Sequence, residues 1–150
     1  MVAEGMGGAG IAAIVAIIVA AVARDGGLTF RPGEAAPRDG FMVALPATRG
    51  MAGAVSWAGG ETGVAGAEPA VAAWVRRVLP VVLAGRDLWI GAWVDGGTLY
   101  LDVSERIAAR EVAARVGRER DQIAVWDLGR GEAVPTGGTG AIDGEGRRAA

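Results

Sequence analysis

The chain is expected to fold as an α+β protein: an apolar N-terminal helix, then a small mixed or antiparallel sheet with two helices on one face, in the order ββαββαβ. Three observations lead there. Ile11 to Ala23 is an unbroken apolar run without a charge. Leu88–Val94 and Thr98–Val103 are β-rich runs separated by Asp95-Gly96-Gly97, the signature of an antiparallel hairpin. Two segments of helical periodicity alternate with the remaining short strands.

The elements follow in order. Residues 1–23 are apolar and Gly-rich, with Glu4 the one charge. Reaching back to Met6 gives eighteen residues; at ~1.5 Å each they span about 27 Å, just short of a bilayer core of roughly 30 Å. Three readings compete for this segment. The first is a membrane anchor through residues 6–23. The second is a secretory signal cleaved after Ala21-Val22-Ala23, although no Lys or Arg precedes it. The third is a helix buried in the domain core or between subunits of an assembly. The anchor is preferred, and Arg24, Arg31 and Arg38 on its C-terminal side orient the following domain to the cytoplasm. Gly8, Ala12, Ala16 and Ala20 form a small-residue stripe suited to helix self-association.

Residues 24–40 read as a Gly/Pro linker and 41–134 as the α+β domain. Phe41–Leu45 and Ala52–Trp57 are strands. Glu68-Pro69 opens a helix in which Val71, Trp74, Val75, Val78, Leu79 and Val82 share a face, with Pro80 expected to kink or end it. After the hairpin, Ser104 is placed to cap a helix over Glu105 to about Arg118, with Glu111 and Arg115 as an i,i+4 pair. Gln122–Leu128 is the last strand. Residues 135–150, including Thr136-Gly137-Gly138-Thr139-Gly140, read as a disordered tail.

Composition excludes several chemistries. With no Cys, His or Lys there is no thiol or imidazole nucleophile, no Schiff-base lysine, no lysine-dependent phosphate loop and no Cys/His zinc site. A net charge of −2 gives no overall basic field for nucleic acid. No cofactor is expected, and no residue is assigned as catalytic or metal-binding. Acid–base or divalent-metal work would fall to Asp102 and Asp127, placed on neighbouring strands, with Asp95 in the turn. Asp at strand ends and turns more often satisfies backbone donors. The arginines of the second helix region (Arg106, Arg110, Arg115, Arg118, Arg120) alternate with Glu105, Glu111 and Glu119, as on a solvated face.

The tryptophans are the stronger constellation. Trp89 and Trp93 fall on one face of their strand; Tyr100 is expected to join them across the hairpin and Trp126 from the final strand. These four residues are the candidate interaction face, set against the plainer reading that the rings are core.

Leu88-Trp-Ile-Gly-Ala-Trp, Tyr100-Leu-Asp-Val-Ser104, Gln122-Ile-Ala-Val-Trp-Asp127 and Val134-Pro-Thr-Gly-Gly138 together resemble a small module of hypothetical proteins from actinobacterial phages, prophages and other mobile elements. The likeness spans residues about 88–138. It implies a mobile-element origin and no catalytic activity. Position 109, acidic in that pattern, is Ala here. The resulting expectation is a membrane-tethered protein-interaction module with an unidentified protein partner. The alternatives are a virion or assembly component with its apolar helix between subunits, and a carboxylate-dependent metal hydrolase.

Overall fold

Gly96 and Gly97 both take positive φ, 55° and 80°, the backbone of a two-residue type I′ turn, and close a hairpin of Leu88–Asp95 and Thr98–Ile107. The computed structural model describes residues 8–46, 49–57 and 60–140. Its elements are α1 (Gly8–Asp25), β1 (Gly27–Phe30), β2 (Phe41–Ala44), β3 (Gly53–Ser56), α2 (Gly60–Ala84), β4 (Leu88–Asp95), β5 (Thr98–Ile107), α3 (Arg110–Glu119), β6 (Ala124–Asp127) and β7 (Glu132–Pro135). The fold is α+β. Its seven-stranded antiparallel sheet has the order β1-β4-β5-β2-β6-β7, with β3 also paired to β5. The chain divides into two compact units, one of residues up to Ala35 plus Ala52–Asp102, the other of Ala36–Met51 plus Val103 onward.

In the first unit α1 and α2 pack on each other and on the sheet. The side of α1 carrying Ile11, Ile14, Val15, Ile18, Val19 and Val22 is buried. From α2, Val71, Trp74, Val75, Val78, Leu79 and Val82 are buried as the spacing predicted, beneath Ile90, Ala92, Leu99 and Leu101 of the hairpin. Gly53 pairs with Leu101, and a Cβ there would sit 2.8 Å from the Trp74 ring, so α2 lies on the Leu101 face of the sheet. The helix runs through Pro69 and Pro80 without ending. Pro80 leaves the carbonyl of Arg76 without its donor, and Arg76 is itself exposed, so that carbonyl can be hydrated; the buried stripe outweighs a cost of about 3 kcal/mol for the proline.

The expected linker is in part structured. Gly26, in the left-handed region, ends α1 with its N–H on the Val22 carbonyl, and β1 then pairs with Ile90–Trp93 of β4. Four residues between glycines are too short to show a period, which is why 24–40 reads as loop from sequence. Arg31 reaches the C-terminus of α2: its Nη1 donates to the Val82 carbonyl at 2.5 Å and the Leu88 carbonyl at 3.1 Å, while Nε pairs with Glu34 at 2.5 Å. No helix among the described residues is long and apolar enough to cross a membrane. Met6 and Gly7, counted in the expected span, lie outside the described residues.

The second unit is built around Val43, Ala113, Val125 and Val134, with Phe41, Ile107 and Val116 packed against them. Here the helix boundary differs from expectation. Ser104 does not cap; Ser104–Ile107 pair with Phe41–Ala44, so ladder hydrogen bonds extend β5 and delay the helix to Arg110. Ala109 takes the N-cap place without a side-chain hydrogen bond. Arg115 pairs with Glu119 at 3.9 Å instead of the expected Glu111. At its other end α3 closes with the Gln122 N–H on the Gly117 carbonyl and the Asp121 N–H on the Arg118 carbonyl, Asp121 holding φ 55°. That is a Schellman arrangement with Asp in place of the usual Gly.

Residues 132–140 also depart from the expected tail. Glu132–Pro135 adds β7 to β6, and the element order along the chain is αβββαββαββ in place of the expected ββαββαβ after the first helix. Thr136 is buried and its hydroxyl donates to the Gln122 carbonyl. Thr139 donates from both N–H and Oγ1 to the Asp121 carboxylate, at 2.7 and 2.6 Å. Threonine hydroxyls thus fix a stretch that glycine content alone marks as loose. The rest of the expected tail, 141–150, lies outside the described residues.

Candidate interaction surfaces

Strand alternation places Trp89, Gly91 and Trp93 on one face of β4 and Tyr100 and Asp102 on one face of β5. The two sets meet. Trp93 and Tyr100 stack with ring centroids 5.4 Å apart and planes 24° from parallel. A Cβ on Gly91 would lie 2.5 Å from Asp102 Oδ1, so the carboxylate is laid over the glycine backbone. This face is opposite to the one α2 covers. Trp89 and Asp102 are buried in it, whereas Trp93 and Tyr100 are half-buried. Among the described residues, the one buried side-chain nitrogen or oxygen atom without a hydrogen-bond partner is Trp89 Nε1.

Three of the four expected aromatic residues are therefore brought together. Trp126 is not with them. It lies in the second unit, on β6, opposite Met42 of β2 and Ala133 of β7, and is 47% exposed. Its strand pairs with β2 and not with β5, because β2 occupies the intervening place in the sheet.

No family model, curated protein or solved structure matches this chain. Its surfaces therefore have to be read from their own chemistry.

The second surface is the outer side of α1. Ala12, Ala13, Ala16, Ile17 and Ala20 are all exposed, Ile17 at 45%. A solvent-facing helix side ordinarily carries polar residues, and this one has none between Gly8 and Ala23. Charge returns only at Arg24 and Asp25, which bond to each other at 2.8 Å; the Arg24 guanidinium holds the Asp25 carboxyl below its ordinary range. Of the expected stripe of Gly8, Ala12, Ala16 and Ala20, the three alanines lie together on the exposed side of the helix, and the exposure of Gly8 lies outside what is described.

The carboxylate pair does not assemble as expected. The premise was that Asp102 and Asp127 sit on neighbouring strands, but β2 separates β5 from β6. Asp127 serves its own hairpin: Oδ1 accepts from the Arg130 N–H at 3.0 Å, and Arg110 stands 4.0 Å from Oδ2. Asp95 is exposed beside the glycine turn. No cluster of three or more acidic residues suited to a metal ion occurs among the described residues.

The arginines of the α3 region are mostly committed within the protein. Arg106 bonds Asp39 at 2.5 Å, Arg118 the Thr136 carbonyl at 2.9 Å and Arg120 both Glu105 at 2.6 Å and the Ala44 carbonyl at 3.3 Å. The sequence offered no sign of two features that matter here. Gly91 gives room for a carboxylate and Trp89 carries an unmet donor; both depend on cross-strand register, which residue types alone do not set.

Proposed function

We propose that the chain is a non-catalytic protein-interaction module of phage or prophage type that works as a component of an assembly, with a second copy of itself packing on the outer side of α1. The observation that carries this reading is the two-sidedness of α1. Its Ile and Val side is used up in its own unit, and its outer side is apolar, small and exposed. Ile17 is the single large side chain there, flanked by Ala13, Ala16 and Ala20 on the same face. A two-fold axis through this face sets each Ile17 against the other copy's alanines, with close backbone approach and no charge to desolvate. One helix face is at the low end of interface area, so association is expected to depend on concentration.

Light scattering across a concentration series of the full chain tests this. Reversible dimers are expected, and Ile17→Glu should remain folded by circular dichroism yet stay monomeric. A wild-type chain that is monomeric at every concentration, or an Ile17→Glu chain that still dimerises, overturns the reading. The same charge-free helix followed by Arg24, Arg31 and Arg38 favours a second one, a membrane tether with the remainder on the cytoplasmic side. Extraction only by detergent, and never by carbonate, would replace the assembly by the tether.

A further inference from the structure

We infer that the open edge of β1 pairs antiparallel with the same strand of a second copy, so that the sheet of the first unit runs on across a two-fold axis at Leu28. The inference rests on the reading of α1 given above and extends that interface from the helix to the sheet. It stands on an unshielded strand edge, the direction of its main-chain groups, and the place of α1 above it.

β1 ends the sheet order, and among the described residues no strand pairs with its outer side. Its residues, Gly27-Leu28-Thr29-Phe30, are all half-buried and include no charge and no proline. Strand edges ordinarily carry one or the other as a shield. The Val94 N–H donates to the Gly26 carbonyl, which fixes the ladder. Gly26, Leu28 and Phe30 turn their main-chain groups to β4, whereas Gly27 and Thr29 turn theirs to the open edge. Beyond them the edge closes, because the Glu34 N–H bonds to the Arg31 carbonyl. An axis at Leu28 uses all that is open. It sets Gly27 opposite Thr29 of the second copy and Thr29 opposite its Gly27, each pair exchanging both hydrogen bonds.

The helix agrees with the strand. Leu28 pairs with Ala92 and so shares the sheet face that α2 covers. α1 packs on that face against β1, β4 and α2, which makes it the helix nearest the open edge. Paired strands lie about 4.8 Å apart. With each α1 above its β1–β4 gap, half a spacing further in, the two helix axes come to about 10 Å, the packing distance of neighbouring helices. One axis therefore joins the strands and brings the outer sides of the two α1 helices together, with Ile17 and Ala20 between them. Charge is complementary as well. Carried beyond Gly27, the register runs the Arg24–Asp25 pair toward the Arg31–Glu34 turn of the second copy. Arg24 and Glu34, each more than half exposed, meet there with opposite sign.

The test is sedimentation of the full chain across a concentration series, with residue-resolved amide exchange at each concentration. Expected is a dimer in which the Gly27 and Thr29 amides become protected in step with the dimer fraction. Thr29→Pro removes a donor that β4 does not use, and proline is tolerated on an outer strand with its nitrogen facing outward. That variant should remain folded by circular dichroism and dimerise roughly tenfold more weakly or worse. A Thr29→Pro chain that dimerises as tightly as the parent, or Gly27 and Thr29 amides that exchange freely in the dimer, overturns the strand pairing and leaves association through α1 standing. A wild-type chain that stays monomeric overturns both. Should Thr29→Pro fail to fold, amide exchange on the wild-type chain decides alone.

Discussion

Removing the guanidinium of Arg31 should destabilise the first unit by about 2–4 kcal/mol. Arg31 caps α2, whose last carbonyls have no partner within the helix. One bond meets a last-turn carbonyl, that of Val82 at 2.5 Å, and a second from the same Nη1 ties in the Leu88 carbonyl at the start of β4 at 3.1 Å; the approach of Nη2 to the Leu83 carbonyl, 3.5 Å, is too long to count. Hydrogen bonds from a charged donor contribute about 1.5–3 kcal/mol each. The positive charge at a helix C-terminus adds a further ~0.3–1 kcal/mol. Against this, Ala84 is exposed and Leu83 half-buried, so water can reach part of what is lost. Arg31→Met keeps the apolar stem and deletes only the donors.

Chemical denaturation followed by circular dichroism measures the effect, and the melting temperature should fall by roughly 5–15 °C. Glu34→Gln is the control. Glu34 pairs with Arg31 at 2.5 Å but is 53% exposed, and such a pair is worth at most about 1 kcal/mol. Arg31→Lys should fall between them, because an ammonium keeps the charge but is a compact, strongly hydrated point without the preorganised planar donors of the guanidinium. If Arg31→Met costs less than about 1 kcal/mol, or no more than Glu34→Gln, the cap is not what holds this end of α2. The outcome also bears on topology, since Arg31 is one of the three arginines that favour a cytoplasmic domain, and its charge is already engaged.

Two further predictions concern the second unit. Ala109 stands at the N-cap of α3 with extended φ and ψ (−91°, 129°) and no side-chain bond, so Ala109→Asp should raise stability by about 1 kcal/mol, read as an increase in denaturation midpoint; no gain would mean the first-turn N–H groups are already satisfied. Thr136→Val removes the hydroxyl that donates to Gln122 and accepts the Gly138 N–H at 3.0 Å, and should cost about 1–3 kcal/mol. Hydrogen exchange should then accelerate at Gly138, Thr139 and Gly140, whereas unchanged protection would show that β7 alone orders this stretch.

What could be read from residue types follows a physical division. Elements whose own side chains repeat with a clear period were legible: the buried stripe from Val71 to Val82, the hairpin around Gly96-Gly97, and the short strands at Phe41 and Gly53. Elements that exist only because a neighbour offers a hydrogen-bonding edge were not. β1 is four residues that alternate nothing, and it forms because β4 presents a free ladder. β5 runs past Ser104 because β2 pairs there, overriding a good capping residue. Thr136 to Gly140 is pinned by two hydroxyls and the Asp121 carboxylate, a tertiary effect that composition hides behind glycine. The aromatic face divides the same way: alternation correctly set Trp89 and Trp93 together, but only strand order shows that Trp126 lies elsewhere.

The same division bears on α1. Its apolar run is the sequence feature most suggestive of lipid, yet Ile11, Ile14, Val15, Ile18, Val19 and Val22 are the side chains that fill its own unit. Burying an aliphatic side chain contributes about 1.5–3 kcal/mol, so six of them together amount to at least on the order of 10 kcal/mol, before correction for a compact unfolded chain. That is comparable to the whole stability of a typical domain, about 5–15 kcal/mol. Lipid and the domain core therefore compete for one set of residues, and α1 cannot serve both at once as a detachable tether would. What α1 can offer without unfolding its unit is its other side, where alanines and Ile17 stand exposed. A deletion of residues 1–25 would consequently unfold the first unit whatever the helix does outside it. Single substitutions on the outer side separate structure from function, and truncation does not.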